Sequence, residues 1–419
     1  MINQTVFSQI VKVANEVLTF TQPADAVLAY FFKHNSKIGK QDRAEISSTI
    51  FLLLRNLEKI KMVLPDFSQK PKTAVLCTLM LARGISLSVL ENLCDEDSIK
   101  ILKLLKEKKQ FNSLNITAEL PQWLIDELSN YYSEDEILAL GRSFNNSAFL
   151  DVRVNSLKSN RDKVFEQLQN EGFKVEKTPL SPIGIRFLDK ISLHKHNLFN
   201  DGIIEIQDEG SQILSLLSGA KKGQIVVDFC AGAGGKTLAM GALMQNKGRL
   251  YAFDISEKRL HNLKPRLTRS GLGNVLPQLI HNERDVKLQR LYGKCDVVFV
   301  DAPCSGTGTI RRNPDIKYRQ SPDTIARIVK QQESILQAAS SLVASGGRLI
   351  YATCSLLSRE NEQQIETFLQ KNSDFSLINA EDILKVYKTE FPIKNKMLRL
   401  NPAIHHTDGF FAAILCKSN

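Results

Sequence analysis

The sequence predicts a multidomain protein in which a helical block precedes α/β structure, the last part of it a parallel, doubly wound sheet. Three observations carry this expectation. Residues 1–140 repeat apolar positions at three- and four-residue steps, the signature of amphipathic helices. At 145–150 the texture changes to short strand-like runs separated by turns. From 224 onward, short and continuously apolar strands alternate with helices, as expected of a parallel sheet covered on both faces. A chain of 419 residues has room for two or three domains at ~150 residues each. The expected bounds are 1–140, 145–218 and 219–419.

In the first block, "PADAVLAYFFKH" and "QDRAEISSTIFLLLRNLEKIKMVL" are helical, and further helices are expected at 73–92, 98–106 and 121–130. The middle segment reads as strand "LDVRVN", a helix at 160–171, then strands "KVEKT" and "GIRF". A short strand then leads into a helix ending at Gly219. The final block opens on strand "IVVDF" and a helix near 235–245, followed by "LYAFD" and a helix at 256–270. "VLPQLI" and "DVVFVD" follow, then a helix at 323–344 that Gly346-Gly347 is expected to stop. "RLIYATC" precedes a helix at 358–370, and the tail "GFFAAILC" reads as a late antiparallel strand.

Composition narrows the function classes. No apolar run reaches a membrane span, and the first residues lack a signal-peptide pattern. A chain with no membrane association, in the cytoplasm and as a monomer, is expected. The seven cysteines are scattered without a C-x-x-C pair, which argues against a disulfide framework or zinc site and for a reducing compartment. The seven histidines form no metal-like pattern, so no metal is expected. The net charge of +10 is uneven: residues 1–140 carry 16 basic against 17 acidic residues, the remainder 39 against 28. A polyanion such as nucleic acid accounts for that excess, as does plain solvation.

"VVDFCAGAGGKT" is a strand, a glycine-rich turn and a helix, a geometry that lets a ligand approach backbone. An ATP-type phosphate loop requires glycine five residues before Gly235, where this chain has Cys230. A nicotinamide or flavin fingerprint requires its last glycine at Thr237. S-adenosylmethionine, which has no phosphates, is the third candidate. Asp254, closing the next strand, is placed to accept from two ribose hydroxyls. That carboxylate alone does not separate a dinucleotide from S-adenosylmethionine.

Cys304 follows one strand and Cys354 ends the next, each with serine after it. Neighbouring strands would bring both thiols to one crevice. A single small buried cysteine is ordinarily packing, whereas two at equivalent strand ends are far more specific. Two thiols suit methylation of cytosine at C5, a carbon that is a poor nucleophile. A thiolate adding at C6 enriches C5, and a base must later remove the C5 proton so that the thiol can leave. Asp301 is placed to hold the N3/N4 edge of the base, or simply to cap a turn. Lys236 is placed to favour a thiolate, or simply to be solvated.

"DAPCSGTGTIRRNPDIKYR" followed by "YATCSLLSRENEQQIETFL" resembles the bacterial RsmB/Sun family of RNA cytosine-5 methyltransferases. "QPADAVLAYFFKHNSKIGKQDRAEISSTIFLLLRN" is similar to that family's NusB-like helical domain, and "DVRVNSLK" and "IQDEGSQI" to its middle RNA-binding segment. The resemblance implies a Rossmann-like class I methyltransferase sheet at the C-terminus. It implies that Cys354 attacks and Cys304 resolves, with Asp301 and Lys236 completing the catalytic set. It further implies that Cys230, Ala231, Gly232, Ala233, Gly234, Gly235 and Lys236, with Asp254 and Asp301, line the S-adenosylmethionine site.

Two departures stand out. The family loop commonly reads A-A-P-G-G-K-T, and the proline is missing here. An acidic residue is usual at the third strand's end, where this chain reads "LIHNERDV". Asn282 is the favoured adenine contact there, ahead of Glu283 and Asp285.

Arg311, Arg312, Lys317 and Arg319, directly after the Cys304 loop, are expected at RNA phosphates, as are Arg153 and Asn155. A solvated basic face is the alternative for all six. The target base must be single-stranded or flipped out. The resemblance points to small-subunit (16S) ribosomal RNA. A DNA cytosine-5 methyltransferase and a non-catalytic RNA-binding protein are the competing classes. The first attacks with its Pro-Cys cysteine and lacks the Thr353-Cys354-Ser355 partner.

Overall fold

In the computed structural model, residues 3–108, 112–387 and 390–419 are described. The chain divides into two compact units, Met1–Ser147 with Thr309–Pro322, and Ala148–Gly308 with Asp323–Asn419. This differs from the three expected segments. The middle α/β piece clusters with the C-terminal sheet, and a short stretch beyond Cys304 clusters with the helices.

The first unit is helical. Gln4–Val17, Lys40–Arg55 and Pro71–Arg83 contact one another pairwise. Ile10, Ile46, Ile50, Leu53 and Leu76 form a core from which water is excluded. The register that buries them is the three-and-four spacing visible in the sequence.

Thr309–Pro322 is held in this unit by hydrogen bonds that no local pattern announces. Lys317 is buried, its ammonium donating to the Glu119 carbonyl at 2.5 Å, while the Trp123 indole donates to the Lys317 carbonyl at 3.1 Å. Arg55 donates to the Arg311 carbonyl at 3.0 Å, and the Asp315 carboxylate accepts from the Ala24 amide at 3.3 Å. Burial lowers the Lys317 pKa to about 8. The expectation that Lys317 and Arg311 meet phosphate is therefore corrected, because both side chains are buried in a helical core. Arg312 is half-buried, and Arg319 is exposed with Asp315 at 3.4 Å.

Truncation of Lys317 to Ala is expected to destabilise the protein by ~3 kcal/mol, since buried Glu119 loses a compensating charge. The salt dependence of RNA binding is expected to stay unchanged. Thermal melts and binding titrations over a salt series check the two halves of that statement.

The second unit contains two sheets. In the smaller, β1 (Leu150–Val154), β2 (Val175–Lys177), β3 (Gly184–Phe187) and β4 (Ile204–Ile206) run antiparallel in the order β2-β3-β1-β4, with helix Arg161–Asn170 alongside. Arg153 and Asn155 turn inward here. Arg153 donates to Gln207 at 2.7 Å, and Asn155 donates to the carbonyls of Gly202 and Ser270, each at 3.0 Å. Their expected phosphate contacts are corrected for the same reason: both are buried.

The larger sheet is built on β5 (Ile225–Asp228), β6 (Arg249–Asp254), β7 (Val275–Leu279), β8 (Cys295–Asp301) and β9 (Val343–Thr353). These five are parallel. Beyond them lie β10 (Phe375–Ile378), β11 (Ile393–Lys394), β12 (Met397–Leu400) and β13 (Phe410–Lys417). The order is β11-β12-β13-β9-β8-β5-β6-β7, with β10 also paired to β13. The chain winds outward from β5 in one direction through β6 and β7, then returns to β8 on its other side. That reversal opens a crevice at the strands' carboxyl ends. The expected late strand is β13, antiparallel to β9.

One boundary is corrected. The long helix ends at Ser340 rather than 344, and Gly346-Gly347 lies inside β9. Gly347 is required there by close approach, since a Cβ would meet the Ala344 and Cys295 carbonyls at 2.8 and 2.9 Å.

Candidate active site

The crevice at the β5/β8 reversal is a cavity of about 650 Å³. Phe229, Cys230 and Gly232 line it after β5, Asp254 and Ile255 after β6, and Ile280, His281, Asn282 and Glu283 after β7. Asp301 to Cys304 enter it from β8 and Cys354 from β9, with Gln331 and Ile335 contributed by helix Pro322–Ser340.

The loop after β5 takes its shape from its glycines. Gly232 and Gly234 have φ of +56° and +85°, a region that L side chains avoid. A Cβ on Gly234 would lie 2.1 Å from the Leu263 side chain. Asp254 fixes the loop from below, one oxygen accepting from the Gly232 amide at 2.8 Å and the other from the Ser256 amide at 2.7 Å. Cys230, Gly232, Asp254, Asn282 and Asp301 of the expected cofactor residues line the cavity. Ala231, Ala233, Gly234 and Gly235 shape the turn without lining it.

Asp228 sits under this loop, buried, with one oxygen accepting from the Thr237 hydroxyl at 2.6 Å. Burial pushes its carboxyl up to about 7; the Thr237 hydroxyl opposes the rise and the charge of Asp301 adds to it. The folded state thus binds this proton more tightly than the unfolded chain does. Stability is therefore lost as pH rises from about 4 to about 7, and the loss is constant above that. Asp228→Asn is expected to gain on the wild type by up to ~3 kcal/mol between pH 5 and pH 8. Denaturation at the two pH values measures this difference.

Lys236, on the first turn of helix Gly235–Leu243, donates to Asp301 at 2.6 Å. Burial works against its charge, but Asp301 outweighs burial and the lysine pKa is raised. Beside this pair, Cys304 and Cys354 stand with their sulfurs 3.2 Å apart, on neighbouring parallel strands in which Asp301 aligns with Ala352. Cys304 is raised well above an ordinary thiol by its contact with Cys354, then by burial, then by the charges of Cys354 and Glu360. Cys230 is also raised, by burial.

At the third strand's end, Asp285 is committed to the His281 and Lys287 amides at 2.8 and 2.9 Å and does not line the cavity. Asn282 and Glu283 do line it, Glu283 accepting from the Ser334 hydroxyl at 2.6 Å. Sequence reading missed Ile255, Arg259, His281, Gln331 and Ile335. Only Ile255 had a usable signal, as the residue after a strand-ending aspartate.

The cavity discriminates among ligands by charge. Its lining carries three carboxylates, Asp254, Glu283 and Asp301, against the single guanidinium of Arg259. Lys236, which would reach a phosphate in an ATP-binding loop, is bound to Asp301 instead. Such a lining repels phosphates and suits a cationic sulfonium donor, and Phe229, Ile255, Ile280 and Ile335 give it apolar walls. Fold and site together define an S-adenosylmethionine-dependent methyltransferase.

Known proteins make the assignment narrower. A family profile described as "16S rRNA methyltransferase RsmB/F" matches residues 215–416, and one described as "Methyltr_RsmF/B-like, ferredoxin-like domain" matches 120–194. The "Probable ribosomal RNA small subunit methyltransferase B" of Bacillus subtilis (strain 168) is 33% identical over 302 residues, covering 71% of this chain and 66% of that protein. The protein described in the same words from Synechocystis sp. is 33% identical over 310 residues, 73% of this chain and 68% of its own length. Among solved structures, PH0851 superposes with a TM-score of 0.82 at 26% identity, covering 99% of each chain. The chain belongs to the RsmB/F family of 16S ribosomal RNA methyltransferases.

Proposed function

We propose that this chain methylates C5 of a cytosine in small-subunit ribosomal RNA through a transient bond between Cys354 Sγ and C6. The observation that carries the reading is the pair of thiols 3.2 Å apart, lining one cavity with Asp301, which Lys236 holds from outside its lining. Cys354, as thiolate, forms the bond to C6, and the electron pair of the C5–C6 double bond moves toward C5 and the ring nitrogen. Asp301, held by Lys236, accepts from the exocyclic amine edge of the base and supports a proton at N3 during attack. S-adenosylmethionine supplies an electrophilic methyl group when bound. Cys304, having passed its own proton to solvent, then takes the C5 proton as a thiolate, the double bond re-forms and Cys354 leaves as thiolate.

Cys304's high proton affinity suits that last role. A cytosine stacked inside a helix would be out of reach of thiols that line a cavity, so the target cytosine is unpaired or flipped. Arg312 and Arg319 remain candidates for RNA phosphates. A ribosomal RNA substrate places the reaction in the cytoplasm. Among the described residues, no helix is long and apolar enough to cross a membrane.

Transfer of labelled methyl to ribo- but not deoxyribo-oligonucleotides is the expected result. Bisulfite sequencing of 16S RNA with and without the gene locates the base. Transfer to DNA, or none to any RNA, would overturn the reading.

A further inference from the structure

Each of the two cysteines is followed by a serine, and one buried carboxylate joins the two serines. Glu360 ends a single 3-10 turn, Ser358–Glu360, ahead of helix Glu362–Lys371, and it is fully buried. Its Oε1 accepts from the Ser305 amide at 2.8 Å and from the Gln332 side-chain amide at 3.0 Å. Its Oε2 accepts from the Ser305 hydroxyl at 2.5 Å and from the Ser355 hydroxyl. Three separate elements therefore converge on one side chain: the loop after β8, the loop after β9 and the helix Pro322–Ser340. Gln332 adds a second tie, donating to the Pro303 carbonyl at 3.0 Å, next to Cys304. Asn361 grips the other thiol's backbone, accepting from the Thr353 hydroxyl at 2.6 Å and donating to the Ser355 carbonyl at 2.9 Å.

We propose that Glu360 is a positioning residue for the resolving step: its buried carboxylate ties the Cys304 loop to the Cys354 loop and thereby sets the separation of the two thiols. All four groups bonded to the carboxylate can donate to it, and two of them, the Ser305 and Gln332 amides, can only donate. Among the described residues no lysine or arginine pairs with it, and its carboxylate is met by hydrogen bonds from groups that belong to the thiol loops and their support. The same negative charge lies close enough to Cys304 to favour its protonated form, after the larger effects of the Cys354 contact and burial. A resolving base in that setting takes the C5 proton more readily. Glu360 touches neither the base nor the methyl donor; it acts through Cys304.

This inference rests on the roles proposed above for the two cysteines. The test uses the full chain, in vitro transcribed 16S RNA and methyl-labelled S-adenosylmethionine. Wild type, Cys304→Ala, Glu360→Gln and Ser305→Ala are compared by kcat, by KM for each substrate, by melting temperature and by the fraction of protein in a denaturant-resistant RNA adduct. Glu360→Gln is expected to lower kcat by about 10- to 100-fold, the lower range of a general-base contribution. Both KM values should stay within about twofold while the adduct fraction rises above wild type toward that of Cys304→Ala. Ser305→Ala, which keeps the amide bond to Glu360 but removes a hydroxyl that also meets Thr307 and Ser355, should move kcat and adduct in the same directions by a smaller factor, and decides the matter if Glu360→Gln does not fold. Wild-type kcat in both variants, or a fall in kcat with no rise in adduct, overturns the proposal. If Cys304→Ala itself forms no adduct, the assignment of the cysteine roles fails first, and this inference falls with it.

Discussion

Cys304→Ala is expected to turn a catalyst into a protein that ends covalently joined to its RNA. Cys354 retains its place at the end of β9 in this variant, so attack on C6 and methyl transfer proceed. What is lost is the acceptor for the C5 proton, and without its departure the C6–S bond has no route to break. General-base removal of such a proton contributes about 10²- to 10⁴-fold, so turnover should fall by that factor while a denaturant-resistant, methyl-labelled adduct accumulates. Cys354→Ala should form no adduct, and the double variant should match it. Cys354→Ser is expected to lose at least about 10³-fold in kcat, since a serine hydroxyl is barely ionised where a thiol readily is. The 3.2 Å between the sulfurs means that either one can reach the base, so an adduct from Cys354→Ala and none from Cys304→Ala would reverse the two roles. Denaturing gels with labelled RNA read all four variants.

Asp254→Ala is expected to weaken S-adenosylmethionine binding by about 100-fold or more. Two hydrogen bonds from ribose hydroxyls to a carboxylate are each worth ~1.5–3 kcal/mol, and every 1.4 kcal/mol is about tenfold in affinity. The substitution also releases the Gly232 and Ser256 amides, both bonded to this carboxylate at 2.8 Å or less. Gly232 faces the cavity at φ +56°, so its loop would lose its anchor on the side where the donor binds. Asp254→Asn keeps one acceptor oxygen and should fall between wild type and alanine. Calorimetric titration with S-adenosylmethionine, well below the melting temperature of each variant, separates lost contacts from lost fold. Affinity within twofold of wild type in Asp254→Ala would remove this residue from the donor site.

The parallel core of the larger sheet was readable because its signals are local. A buried strand needs a run of apolar residues whatever its neighbours, and the turn after β5 needs glycine wherever φ is positive. The strands from 225 to 301 accordingly lie within a residue or two of expectation. The helix expected to 344 stopped at 340 because Val343, the first residue of β9, pairs with Cys295 of β8, a contact across nearly fifty residues that no window along the chain contains. The short strands β10, β11 and β12 were missed for the same reason. Each is a handful of residues stabilised by β13 or by each other rather than by its own pattern.

The cations divide more sharply. Arg153, Arg311 and Lys317 looked like phosphate ligands because charge in a basic stretch is ordinarily solvated, and the neutral Asn155 was grouped with its neighbour Arg153. Burial depends on what packs over a residue. Lys317 meets Glu119 and Trp123, almost two hundred positions away. Glu360 escaped notice for the complementary reason: a glutamate at a helix start reads as an ordinary cap, and its donors come from Ser305 and Gln332 as well as the nearby Ser355.

By itself, then, the chain specified its candidate groups, the two Cys-Ser pairs, Lys236 with its glycine turn and the strand-ending aspartates, since residue identity and short-range periodicity are properties of neighbours in sequence. Only the tertiary structure decided that the two sulfurs stand side by side, that one buried carboxylate spans both loops, and which of the positive charges face water. Those outcomes depend on strand order and on desolvation, and both are set by contacts between residues far apart along the chain.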